Sequence, residues 1–113
     1  MKSLVIIGSI IGGILLVSTY SNLIYAGHSK INSACYYKGY KLYGKVKVVD
    51  NFPDIKVQVV KNFPDLKVKK VDHFPNQCGK WQFVKNFPDI KIKFVKNFPD
   101  IKIKYVNNFP GLP

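Results

Sequence analysis

Residues 84–94 read VKNFPDIKIKF and residues 95–105 read VKNFPDIKIKY, two near-identical units in direct succession. Within each, apolar and charged side chains alternate strictly from Ile90 to Phe94 and from Ile101 to Tyr105. That period of two is the mark of a half-buried strand. Every unit also carries a Pro, which costs about 3 kcal/mol inside a helix. An 11-residue period can signal a right-handed helical coiled coil. Here the proline excludes it.

The same unit extends in both directions. Upstream stand VDNFPDIKVQV from Val49, VKNFPDLKVKK from Val60 and VDHFPNQCGKWQF from Val71, and downstream a clipped VNNFPGLP from Val106. The Phe-Pro pairs begin at Phe52, Phe63, Phe74, Phe87, Phe98 and Phe109, spaced by 11 residues except for 13 across the third unit. Phe before Pro is expected in extended or polyproline geometry. Pro supplies the fixed φ of a turn, and Asp54, Asp65, Asp89 and Asp100 follow with side chains suited to local turn bonding. Each unit is therefore a strand of about five or six residues and a corner. Tyr40 to Val49 shows the same alternation and reads as one more strand. The predicted fold class is all-β, a small repeat domain.

One strand and one corner bury almost nothing, so the units must stack around a shared interior. The predicted inward row is Ile55, Val57 and Val59, then Leu66 and Val68, then Ile90, Ile92 and Phe94, then Ile101, Ile103 and Tyr105. Corner Phe residues are expected either to cap that interior or to pack on one another outside it. In the third unit, Asn76-Gln77-Cys78-Gly79-Lys80-Trp81 replaces the usual Asp-Ile-Lys. The favoured reading is geometric, since Gly in a strand pattern marks a bulge or a close backbone approach.

The tandem FPDIKV corners, the central CGKW interruption and the YGKVKVVD entry resemble the bacterial septafoil-knot family, the 7(1) septoil knot domains. The resemblance covers about Tyr36 to Pro113. It implies a small, mostly β domain whose backbone makes a seven-crossing torus knot. It implies no biochemical activity, cofactor or partner.

Met1 to Ala26 is set apart from the repeats. Lys2 precedes an apolar run from Leu4 to Val17, and small and polar residues follow. That is the layout of a secretory signal peptide. Residues 4–26 are also long enough for a retained membrane anchor. Either alternative exports the rest. The chain thus divides into a signal peptide or anchor at 1–26, a lead-in at 27–38 and the repeat domain at 39–113. An exported chain with only two cysteines, Cys35 and Cys78, predicts a disulfide between them.

Catalytic and metal chemistry fit poorly. No CxxC pair occurs, and the only histidines are His28 and His73. Cys78 and His73 could be paired as nucleophile and base, but no third group or oxyanion site accompanies them. The Asp residues fall on repeat positions, which points to turns rather than to a carboxylate pair. No catalytic, cofactor or metal site is expected, and the chain is predicted not to be an enzyme.

Charge is the strongest functional signal. The chain holds 18 Lys, six Asp and neither Arg nor Glu, for a net charge of +12. Lys56, Lys67, Lys69, Lys91, Lys93, Lys102 and Lys104 take the outward strand positions. Such rows attract anionic polymers and headgroups, but exposed Lys also blocks edge-to-edge strand aggregation. Without Arg there is no planar fork for phosphate and base recognition, so no specific nucleic-acid partner is expected. The expected function is a stable, monomeric, non-enzymatic envelope or secreted module with a structural or binding role. The alternative is a cationic module for anionic surface polymers or membrane headgroups.

Overall fold

The computed structural model describes residues 30–113; the leader read over 1–26 and the first residues of the lead-in lie outside them. Two short strands, β1 (Tyr36–Tyr37) and β2 (Tyr40–Lys41), pair as a hairpin. Six further strands follow: β3 (Gly44–Val48), β4 (Ile55–Val59), β5 (Leu66–Lys70), β6 (Lys80–Phe83), β7 (Ile90–Phe94) and β8 (Ile101–Tyr105). They close into a barrel in the order β3-β6-β5-β8-β4-β7, and every pairing in it is parallel. The stretch Tyr40 to Val49, expected as one strand, divides into β2 and β3, with the chain turning through Gly44 at a φ of 121° where β3 begins.

Parallel neighbours ordinarily need a crossover of a dozen or more residues. Here the regular connections are only six residues long (49–54, 60–65, 84–89 and 95–100). The register explains how. Val48 at the end of β3 is level with Ile92, and Ile92 is level with Ile55 at the start of β4. Val59, Ile103 and Leu66 form the same line from β4 to β5, and Phe83, Val46 and Ile90 form it from β6 to β7. Each corner therefore spans two strand spacings, about 10 Å, with one strand of the other circuit held between the two it joins. β3, β4 and β5 occupy alternate places around the barrel, and β6, β7 and β8 fill the gaps.

The corner aspartates act on that interposed strand. Asp54 donates its backbone N–H to the Lys91 carbonyl (2.8 Å), and its Oδ2 accepts from the Lys91 N–H (2.8 Å). Asp65 does the same with Lys102, Asp89 with Lys45, and Asp100 with Lys56. In every case the partner lies on the strand that the corner bridges. The turn-local bonding expected of these residues is thus replaced by contacts 37 or 44 positions away in sequence.

The third unit now has a physical reason. β5 and β6 are direct neighbours, with Lys70 opposite Trp81, so no strand lies between them to be clamped. Asn76 stands in the Asp slot and bonds locally, its N–H donating to the Phe74 carbonyl (2.8 Å). Gly79 is the close approach that the sequence suggests. A Cβ there would lie 2.3 Å from the Lys67 carbonyl oxygen and 2.6 Å from the Gly111 nitrogen. Gly111 in turn exchanges two backbone hydrogen bonds with Lys67, doing with its own carbonyl what a corner carboxylate does elsewhere.

The barrel interior is filled by Val46, Ile55, Val57, Leu66, Val68, Trp81, Ile90, Ile92, Ile101 and Ile103. The Trp81 Nε1–H reaches the Leu42 carbonyl at 2.9 Å, which satisfies the one polar atom of a fully buried indole. Three expectations for the inward row need correction: Val59 and Phe94 are 48% and 39% exposed, and Tyr105 is only half-buried at the edge of the core. They end their strands, where the chain leaves the barrel for the corner, so in β4, β5, β7 and β8 only the first and third positions reach the centre. β3 contributes Val46 and β6 contributes Trp81. Residues 31–38 of the lead-in contribute Ile31, Cys35 and Tyr37 to the core. The Asn32 Oδ1 accepts from the N–H groups of Ala34 and Tyr36, fixing the turn that presents Cys35.

Ile103→Ala is expected to cost about 2–5 kcal/mol as a core cavity, against under about 1 kcal/mol for Val59→Ala at the rim. Asp65→Ala should cost about 1–2 kcal/mol through its lost charge-assisted bond, and Asp65→Asn less. Urea unfolding followed to equilibrium measures all four, and equal losses for Ile103 and Val59 would contradict the core assignment.

Candidate functional site

Six corners project from the barrel wall, and the same backbone conformation recurs in each. Phe52, Phe63, Phe74, Phe87, Phe98 and Phe109 have φ between 54° and 56°. This is the left-handed region, not the extended geometry that the following Pro implies. For an L-residue with a bulky side chain that conformation costs about 1–2 kcal/mol, and it persists only where the surroundings enforce it. At Phe52, Phe63, Phe87 and Phe98 the corner must leave one strand, pass over another and descend into a third within six residues. Phe74 and Phe109 keep the same conformation without bridging a strand.

Nor do the Phe rings cap the interior or stack on one another. All six are between 79% and 92% exposed. Among the described residues, the ring contact of a corner Phe is with its neighbour His73, whose ring centroid lies 6.3 Å from that of Phe74. Gly or Asn would adopt the same φ at lower cost. The corner geometry therefore asks for something other than Phe, and water gives an exposed aromatic ring no reward.

Between the corners the strands turn their lysines outward. Lys56, Lys91, Lys102 and Lys104 are exposed, and Lys67, Lys69 and Lys93 are half-buried. Three lysines lie over tyrosine rings: Lys38 over Tyr37, Lys41 over Tyr43 and Lys70 over Tyr105, at 5.5, 5.1 and 4.5 Å from the ring centroids. Each is a cation–π contact. Partial burial of Tyr105 raises its phenol above the ordinary value.

Cys35 and Cys78 form a disulfide, with Cα atoms 5.7 Å apart. It ties the lead-in to the irregular unit across 43 residues, a loop whose closure stabilises by about 4 kcal/mol in the chain-entropy model. Bonded in this way, Cys78 offers no thiol to pair with His73. The four corner carboxylates face backbone N–H groups rather than one another. No group of three or more His, Cys, Asp or Glu side chains among the described residues is placed to hold a metal ion.

An all-parallel six-stranded barrel wound as two interleaved circuits, with bridging corners, is a narrow structural class. Residues 39–113 match the family model of the 7(1) septoil knot domain, and the chain belongs to that family. No curated protein shows significant sequence similarity to the chain. The lysine rows and the corner positions were visible as a repeat pattern. The left-handed corner was not, because Phe is not a residue that favours that conformation.

Phe87→Asn is expected to leave stability unchanged or to raise it by up to about 1 kcal/mol, since Asn tolerates positive φ. Phe87→Ala keeps the strain and should gain nothing. Paired unfolding midpoints test this, and a loss above about 2 kcal/mol in the Asn variant would show that the ring serves the fold.

Proposed function

We propose that this domain is a non-enzymatic, highly stable exported module with a binding role, and that it attaches to an anionic surface of the cell envelope. The observation that carries the reading is the repeated corner. Six strained, solvent-facing phenylalanines are set among outward lysines, at positions where the fold would accept a cheaper residue. Aromatic rings next to cationic side chains suit an interface that is anionic outside and apolar just beneath. The described residues also contain no convergent set of titratable groups of the kind a catalytic site needs.

Export is the second part of the proposal. A disulfide is compatible with an oxidising compartment, and the leader of the sequence analysis supplies the route, by cleavage or as an anchor. The third part is kinetic robustness. Corners that bridge a strand of the other circuit fit a knotted chain, in which no strand can leave before its neighbours move, and such a chain unfolds slowly.

Retention on anionic vesicles is expected to fall steeply as salt rises, and neutral vesicles should retain little. Replacing Lys91 and Lys93 by Gln should weaken retention about as much as replacing Lys102 and Lys104. Equal binding to neutral vesicles at all salt concentrations would overturn the surface reading. A single lysine pair carrying all of the retention would replace it with a localised site.

A further inference from the structure

The barrel repeats one cleft three times. Each lies where the end of a first-circuit strand meets the end of a second-circuit strand, and the same five repeat positions line it. The first is lined by Lys47, Val48, Phe83, Val84 and Lys85. The second, 11 residues on, is lined by Gln58, Val59, Phe94, Val95 and Lys96. The third, a further 11 on, is lined by Lys69, Lys70, Tyr105, Val106 and Asn107.

The three differ in one informative way. In the first two, a half-exposed valine (Val48 or Val59) faces a half-exposed phenylalanine (Phe83 or Phe94), and the clefts measure 490 and 380 Å³. Both volumes fall in the range of small-molecule sites. In the third, Lys70 takes the valine position, its ammonium lies 4.5 Å from the Tyr105 ring centroid, and the volume falls to 160 Å³. Here the chain narrows the cleft with its own side chain. At the same time Asn107 replaces the rim lysine that is Lys85 or Lys96 in the open pair.

We infer that the two open clefts each bind an anionic amphiphile, an alkyl or acyl chain ending in a negatively charged group. The chain would lie on the Val–Phe–Val floor, and the head would meet Lys85 with Lys47 in one cleft and Lys96 in the other. Charge complementarity selects this occupant. No carboxylate lines either cleft, so a cation of the same shape meets only like charge. A hydrophilic anion leaves the apolar floor in water. This inference deepens the surface reading by naming the ligand class, and it rests on that reading for the sign of the charge.

The test uses the full chain, with decanoate below its micelle concentration, and follows side-chain resonances by NMR. Saturable shifts are expected at Val48, Phe83, Val59 and Phe94, with two sites per chain and none at Tyr105. Acetate and decyltrimethylammonium should leave all of these unmoved. Two opposite exchanges then follow the cleft itself. Val48→Lys should close the first cleft and reduce the count to one, while Lys70→Val should open the third and raise it to three. Shifts spread evenly over the lysine faces, equal response to the cationic chain, or an unchanged count in whichever exchange variant folds would overturn the inference. Vesicle retention that persists without cleft occupancy sinks the clefts alone. Occupancy without vesicle retention sinks the surface reading alone.

Discussion

The carboxylate of each regular corner grips the strand that its own corner bridges. Asp54, Asp65, Asp89 and Asp100 each close a two-bond contact with a lysine backbone of the other circuit, at 2.7–2.8 Å. Remove this contact and only short backbone ladders and side-chain packing keep the two sets of strands in register. A parallel pair is slightly less stable per residue than an antiparallel one, and these strands share each neighbour over only two or three residues. The clamp starts every such short ladder at a defined place. A one-residue slip would turn the whole inward row toward water.

Much of this architecture was legible in the residues. The alternation in IKIKF and IKIKY located the strands, and Ile90, Ile92, Ile101 and Ile103 lie where that alternation puts them. The even cysteine count pointed to the Cys35–Cys78 bond. What stayed hidden was non-local. Asp before a strand reads as a turn residue, and only the closed barrel shows that its partner is 37 or 44 positions away. The third unit read as irregular, but its cause, a connection moving one place around the barrel instead of two, exists only once the strands are ordered. Phe before Pro reads as extended, and that preference is overridden six times, four of them in corners that bridge a strand.

The candidate site was less legible than the fold. The outward lysines were plain from the sequence, whereas the clefts needed strand ends 35 residues apart to be brought together. Two of their floor residues, Val59 and Phe94, were read as core because alternation cannot tell the middle of a strand from its end. The chain therefore separates two tasks along each strand. In β4, β5, β7 and β8 the first and third positions fill the barrel, and the last position, with the corner beyond it, turns away from the centre. This division lets a very regular repeat keep one interior while varying its surface, as Lys70 does in the third cleft.

Amide hydrogen exchange at the clamped lysines tests the central claim most directly. The Lys56 N–H is bonded to the Asp100 carboxylate at the start of an exposed strand position, where burial alone would not protect it. The account predicts slow exchange at the Lys45, Lys56, Lys91 and Lys102 amides, with protection at Lys56 lost in the Asp100→Ala variant while the Ile92 and Ile103 amides stay protected. Fast exchange at all four lysines in the unaltered protein, or undiminished protection at Lys56 once Asp100 is removed, would contradict it.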